Sequence, residues 1–240
     1  MSEWRKSLKK KLWNGKVSVL DGVSNVLYQP LASGEQVKFT SVQGIDDNAM
    51  DVYAVWPYSD EHERVLGGVK VYLDSEHMAT QEIEGLRVAY ASDIEQEEVL
   101  HFKNVVSYLS LSITKDMEIT EVVLSGLDSE TLSGLAHLEF SSEGEPVVKE
   151  VSMASKTISL TSDGEILEGE YMIPLFPMTM SRGCVLEFMN ADGYLSKVEK
   201  TEELKFERNA AVDFGPLPTE LNWKKAPKVR VNSISPNSVT

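Results

Sequence analysis

The sequence predicts an all-β protein of antiparallel sandwiches, and three observations carry that expectation. The first is the alternation between His101 and Phe140. Val105, Leu109, Leu111 and Ile113 alternate with Val106, Tyr108, Ser110 and Ser112. Leu132, Gly134, Ala136, Leu138 and Phe140 alternate with Ser133, Leu135, His137 and Glu139. A period of two puts successive side chains on opposite faces, as a half-buried strand requires. The second is punctuation: Asp21-Gly22, Ser125-Gly126, Asp163-Gly164 and the stretch Asn190 to Gly193 interrupt apolar runs with turn residues. The third is the near absence of apolar residues recurring at i, i+3, i+4 and i+7, the spacing a packed helix needs.

Taken in order, Val17 to Leu20 and Val26 to Gln29 flank Asp21-Gly22 as a hairpin. Val37 to Val42 and the aromatic-rich Asp51 to Trp56 follow as strands, the latter closed by Pro57. Glu61 to Arg64 reads as exposed and charged. Val69 to Leu73 and Leu86 to Ala91 are strands, and residues 74–85 between them read as a loop or a short helical turn. Beyond the central run, strands are expected within Val147 to Leu160, Tyr171 to Phe176, Val185 to Met189, Tyr194 to Val198, Leu204 to Phe206 and Ala211 to Phe214. Pro174 lacks an N–H for the ladder, so its strand belongs at an edge or a bulge. Leu109, Leu111, Leu138, Phe140, Leu186 and Phe188 are expected together in one core.

A chain of 240 residues accommodates two domains of about 100 residues each. The expected organisation is a flexible basic arm over residues 1–11, an N-terminal sandwich over 12–95, a C-terminal sandwich over 96–222, and a tail or linker over 223–240. The acidic stretch Asp93 to Glu98 supplies the boundary. It lacks the spaced carboxylates and glycine of a calcium loop, so a solvated linker is favoured over a metal site. The tail alternates Val229 and Val231 with polar residues. A linker into a further domain is favoured over a strand donated to a neighbour, because two valines and Ile234 offer little apolar area for ordering so many residues.

The net charge of −15 excludes an extended phosphate-binding surface, and with it nucleic acid as the expected partner. No run approaches the roughly 18 apolar residues of a membrane span. No apolar leader follows Met1, so no signal peptide is expected in this chain. The single cysteine, Cys184, alternates with Leu186 and Phe188 and reads as a small buried hydrophobe. His62, His77, His101 and His137 are scattered, without the paired spacing of a zinc site. Gly67-Gly68 leads into no helix and makes no phosphate loop. No nucleophile elbow occurs. No catalytic, cofactor or metal residue is therefore assigned. Trp56 and Tyr58 are the candidate ligand-facing aromatics, with core packing the favoured role for them.

Several segments, taken together and in order, bear a family resemblance. Trp13 to Gly22 (WNGKVSVLDG), Val52 to Tyr58 (VYAVWPY), Phe102 to Val105, Ile119 to Gly126, Leu132 to Leu138, Gly169 to Pro177 and Arg208 to Gly215 cover about residues 12–222. This series resembles the Bacteroides-type fimbrillin-like surface proteins. The resemblance implies two consecutive transthyretin-like antiparallel β-sandwich domains and no enzyme activity or cofactor. It implies an exported lipoprotein of the cell surface, fimbrium or outer membrane, acting as pilus subunit or tip adhesin. Its expected partners are other fimbrial subunits, joined by β-strand addition, and a surface glycan or protein. The chain lacks the family's lipobox cysteine, and little before Trp13 reads as the family's first apolar strand. A glycan-binding module of a nutrient-capture system is the alternative.

Overall fold

The structure is a computed structural model that describes residues 15–21, 24–31, 38–41, 52–80, 85–91, 100–114 and 117–225. Among these the chain forms strands and no helix. In order they are β1 (Val17–Leu20), β2 (Asn25–Pro30), β3 (Phe39–Thr40), β4 (Val52–Trp56), β5 (Glu63–Val65), β6 (Gly68–Leu73), β7 (Glu76–Met78), β8 (Arg87–Ala91), β9 (Lys103–Asn104) and β10 (Ser107–Ile113). Then come β11 (Ile119–Gly126), β12 (Ser133–Phe140), β13 (Pro146–Ser155), β14 (Thr157–Thr161), β15 (Gly169–Leu175), β16 (Met178–Met180), β17 (Cys184–Asn190), β18 (Tyr194–Lys200), β19 (Leu204–Phe206), β20 (Ala211–Asp213) and β21 (Lys224–Lys225).

One sheet runs β3-β2-β1-β4-β8-β9 and faces a second, β13-β12-β6-β5. The core between them joins Leu20, Tyr53, Val55 and Val88 of the first to Val69, Val71, Ala136 and Leu138 of the second. Another pair of sheets, β15-β10-β20 and β21-β18-β17-β11-β14-β7, encloses Leu109, Leu111, Leu124, Ile173, Leu186 and Phe188. A short ribbon of β16 and β19 adds Met180, Leu204 and Phe206 to that second core. Burial of alternate side chains from two facing sheets is the sandwich arrangement.

The expected single core is corrected to two. Leu109, Leu111, Leu186 and Phe188 lie in one cluster; Leu138 lies in the other, with Phe140 half-buried against it. The reason is pairing. β12 is hydrogen-bonded to β6, Leu138 opposite Val69, which carries it to the first sandwich, while Leu132 just before it stays in the second core. The expected half-polar face of β10 is also corrected: Val106, Tyr108 and Ser110 are buried. That face of the β15-β10-β20 sheet packs Tyr108, Met172 and Ala211 against the first core, so β10 has apolar neighbours on both sides.

Two expected loops contain strands. Glu63–Val65 pairs with β6 through a two-residue connection, Leu66-Gly67, and Glu76–Met78 pairs in parallel with β14. Both find ladder partners that are remote in sequence or polar in pattern, which local periodicity does not reveal. The hairpin after Asp21, the edge position of Pro174 in β15 and the Asn190–Gly193 connection stand as read. The boundary segment 92–99, the arm 1–11 and the tail beyond Lys225 lie outside the described residues. Lys224 and Lys225 themselves pair with Leu195 and Tyr194. β6–β12 and β7–β14 are ladders between strands on either side of residues 92–99.

Candidate functional site

The first sandwich opens at one end into a cleft of about 770 Å3 whose lining includes Tyr53, Arg64, Leu66, Tyr90, Phe140 and Ser142. Tyr53 and Tyr90 face each other directly across the β4–β8 ladder, with ring centroids 5.0 Å apart. Phe140, at the end of β12 in the opposite sheet, brings its ring within 5.6 Å of Tyr53 and 5.4 Å of Tyr90. The three rings are inclined by 31–36° and bridge the two sheets where the sandwich ends. Tyr53 is buried beneath, Phe140 is half-buried, and Tyr90 presents 38% of its surface to solvent.

Two hairpin turns form the remaining walls. The β5–β6 turn projects Leu66 entirely into solvent, and Gly67 beside it adopts φ 81°, the left-handed region glycine accepts readily. Arg64 leans across toward the β1–β2 turn, its Nη1 donating to the Asp21 carbonyl at 3.2 Å. The β12–β13 turn is held by its own bonds: Ser141 N–H donates to Glu145 O at 2.9 Å, and Gly144 N–H to Ser141 O at 2.8 Å. It is also clamped from outside. Lys103 Nζ donates to Gly144 O and to Glu145 Oε1, both at 2.8 Å, and Arg208 Nη2 pairs with Glu145 Oε2. The hydrogen bond from Lys103, then the Arg208 charge, holds the Glu145 carboxyl below the usual carboxylate range.

Behind the cleft a buried polar network fixes the segment from Pro57 to His62. His62 is 3% exposed. Its Nδ1 accepts from Tyr72 N–H at 3.1 Å, and its Nε2 lies 3.0 Å from Pro57 O, so the proton sits on Nε2. Burial lowers the imidazole pKa to about 4. Asn25 Nδ2 donates to Ser59 O at 2.8 Å and His62 O at 3.1 Å, tying β2 to the same segment.

Trp56 is 8% exposed and sits with Val17, Val19, Val52, Ala54 and Ala89 on the face of its sheet away from the inter-sheet core. The Arg87 guanidinium lies 5.3 Å from its ring centroid. Tyr58 is half-buried, with its hydroxyl bonded to Asp60. Neither lines the cleft. Cys184 is buried, and burial pushes its thiol up to about 11. His137 is half-buried; its Nε2 is shielded from solvent and has no hydrogen-bond partner among the described residues.

Sequence reasoning missed Tyr53, Tyr90 and Phe140 as a group, because each reads as an ordinary strand residue. The available signals were Phe140 ending its strand before a Ser-Ser-Glu-Gly turn, and an apolar Leu66 in the glycine turn of a hairpin.

No protein-family model matches the chain, and no curated protein matches it. Among solved structures the chain is similar to one from Bacteroides ovatus described as a "putative cell adhesion protein". That likeness has a TM-score of 0.51 at 19% identity and covers 89% of this chain and 86% of the other. A Bacteroides thetaiotaomicron structure with the same description gives a TM-score of 0.41 at 15% identity, covering 95% and 90%. At such identity the first similarity is one of fold.

Proposed function

We propose that this chain is a non-enzymatic cell-surface adhesion protein, a fimbrial subunit or tip adhesin that joins its neighbours by strand addition. The fold shared with the Bacteroides ovatus protein, over most of both chains, supports the adhesion part. The observation that carries the assembly part is the edge of the second sandwich. Among the described residues β15 ends its sheet, and it pairs with β10 over seven residues in unbroken register, from Ser107 opposite Leu175 to Ile113 opposite Gly169. An incoming strand on such an edge satisfies backbone groups, except at Pro174, which offers no N–H, while its alternate side chains meet the core. β13, the longer edge, is a poorer acceptor. Its pairing with β12 is interrupted by two bulges, and it carries Lys149 and Glu150.

In this reading the protein is exported and its partners are further subunits and a surface ligand. Surface proteolysis of intact cells should remove it, and coated beads should acquire attachment; a protein protected inside the cell would reject the adhesion reading. Light scattering across a concentration series should reveal oligomers. A chain that stays monomeric throughout would reject strand addition. The rival, a glycan-binding module of a nutrient-capture system, draws on the aromatic cleft and predicts sugar binding without assembly.

A further inference from the structure

We infer that the cleft at the end of the first sandwich is a carbohydrate site that takes a neutral pyranose unit against Tyr90 and Phe140. A pyranose has two kinds of surface, a C–H face and a rim of hydroxyls, and the cleft has the partner for each. Tyr90 lies in tilted contact with both Tyr53 and Phe140, ring centroids 5.0 and 5.4 Å away, so its ring is held by two neighbours while part of the residue remains open to solvent. A ring held in this way loses little freedom on binding, which favours affinity from a small contact.

The rest of the lining includes Arg64, Gly67, Ser141 and Ser142, residues that carry polar or main-chain hydrogen-bonding groups. The Ser141–Glu145 turn, which carries Ser142, is fixed from outside by Lys103 and Arg208, so that part of the wall is preformed as well. Leu66, fully exposed at the rim, is an apolar residue in a hairpin turn where solvent alone would favour a polar one. Among the described residues no carboxylate lines the cleft, and the chain carries a net charge of −15. Arg64, the charged residue of that lining, already donates to Asp21 O, and the net negative charge of the chain disfavours an acidic sugar at low ionic strength, so the ligand class is an uncharged hexose or N-acetylhexosamine within a glycan. The volume, about 770 Å3, lies in the usual range for small-ligand sites.

The test uses the full chain and the methyl glycosides of glucose, galactose and N-acetylglucosamine, with glucuronic acid as the charged comparison, followed by amide NMR shifts. At least one neutral glycoside should saturate with a Kd of about 1–10 mM, moving the amides of Arg64 to Gly68, Tyr90 and Ser141 to Gly144. Tyr90→Ala should weaken binding at least about tenfold, and Tyr90→Phe should stay within about threefold of wild type. Leu66→Ser, at a residue with no packing to lose, should weaken it about threefold, which keeps the test decisive if Tyr90→Ala fails to fold. No saturable shift at these amides, equal affinity in wild type and both Tyr90→Ala and Leu66→Ser, or binding of glucuronic acid alone would each overturn the assignment. The link to adhesion rests on the surface reading above and separates from it. Sugar binding with bead attachment unchanged in Tyr90→Ala leaves the site standing and removes it from adhesion.

Discussion

Tyr108 and Leu109 are neighbours on β10, both fully buried, and they belong to different cores. Tyr108 packs with Val71, Leu86 and Leu138 of the first sandwich, Leu109 with Leu124, Ile173 and Leu186 of the second. The alternation of side chains along a strand makes this possible: one face of β10 serves each core. The two cores are therefore expected to unfold together. Leu109→Ala and Leu138→Ala should each destabilise by about 2–5 kcal/mol, and each should shift one common transition. Denaturant unfolding followed by fluorescence and by circular dichroism tests this. Two separated transitions, each moved by only one of the substitutions, would show that β10 does not couple the cores.

His62 makes stability depend on pH in a stated window. Its pKa in the folded chain, about 4, lies below the ordinary 6.5 of an exposed imidazole. The unfolded chain therefore binds the extra proton first, and stability falls as pH drops from about 6.5 towards 4. Protonation also removes the Nδ1 acceptor that Tyr72 N–H uses. The lowering corresponds to at most about 3 kcal/mol. A titration of the His62 ring signals by NMR should give a midpoint near 4, and the stability of a His62→Gln variant should vary less between pH 7 and pH 5 than that of wild type. A midpoint near 6.5 in the folded protein is incompatible with this account.

The strands were legible where one face meets water. β11 alternates buried and accessible residues from Val122 to Gly126, and Leu186 to Met189 of β17 do the same. Strands buried on both faces were read less well. β4, Val52–Trp56, is buried along its whole length and β10 nearly so, and there periodicity identifies a strand but not its neighbours. The pairing of β12 with β6 joins residues 60 and more positions apart, so no local signal divides Leu138 from Leu109. The cleft was less legible still. Tyr53, Tyr90 and Phe140 meet only because two sheets end at the same place, whereas the conspicuous Trp56 faces the other side of its sheet.

Gly68 is where the hairpin bearing Leu66 meets β12. A Cβ built on it would lie 1.9 Å from Leu138 O and 3.1 Å from His137 Nε2. The obstacle at the shorter distance is backbone in a paired strand, so it has little freedom to move aside. Gly68→Ala should therefore destabilise by several kcal/mol, above the ~1–3 kcal/mol typical of overpacking. Gly67→Ala, with open space around the new methyl but φ 81°, should cost only about 1–2 kcal/mol. Thermal unfolding of the pair checks the order; Gly68→Ala being the milder change would mean that β6 does not pack against β12 as closely as described.

Glu145 is the clasp of the turn that forms the polar wall of the cleft. It accepts from Lys103 and Arg208, and Arg208 Nη1 also donates to Asn104 O, beside Lys103 in β9, at 2.8 Å. All three side chains remain partly open to solvent, so screening keeps the stability contribution small. Glu145→Gln should lose about 1 kcal/mol or less at pH 7. The sign of its pH dependence follows from a carboxyl pKa held below the unfolded value: the contribution is present above the ordinary glutamate range and disappears as pH falls through the folded pKa. Wild type and variant should thus converge in acid, and the difference at pH 7 should shrink with added salt. The larger consequence is local. Without the carboxylate the Ser141–Glu145 turn loses the Arg208 pair and one of its two bonds from Lys103, keeping the one to Gly144 O, and its amides should exchange with solvent faster while the core strands β11 and β17 exchange as before. Hydrogen exchange resolved by residue measures this directly. Unchanged protection at Gly144 and Glu145 in the variant would mean that the bonds within the turn and the Lys103–Gly144 bond suffice, and that the Glu145 carboxylate is not what holds the turn.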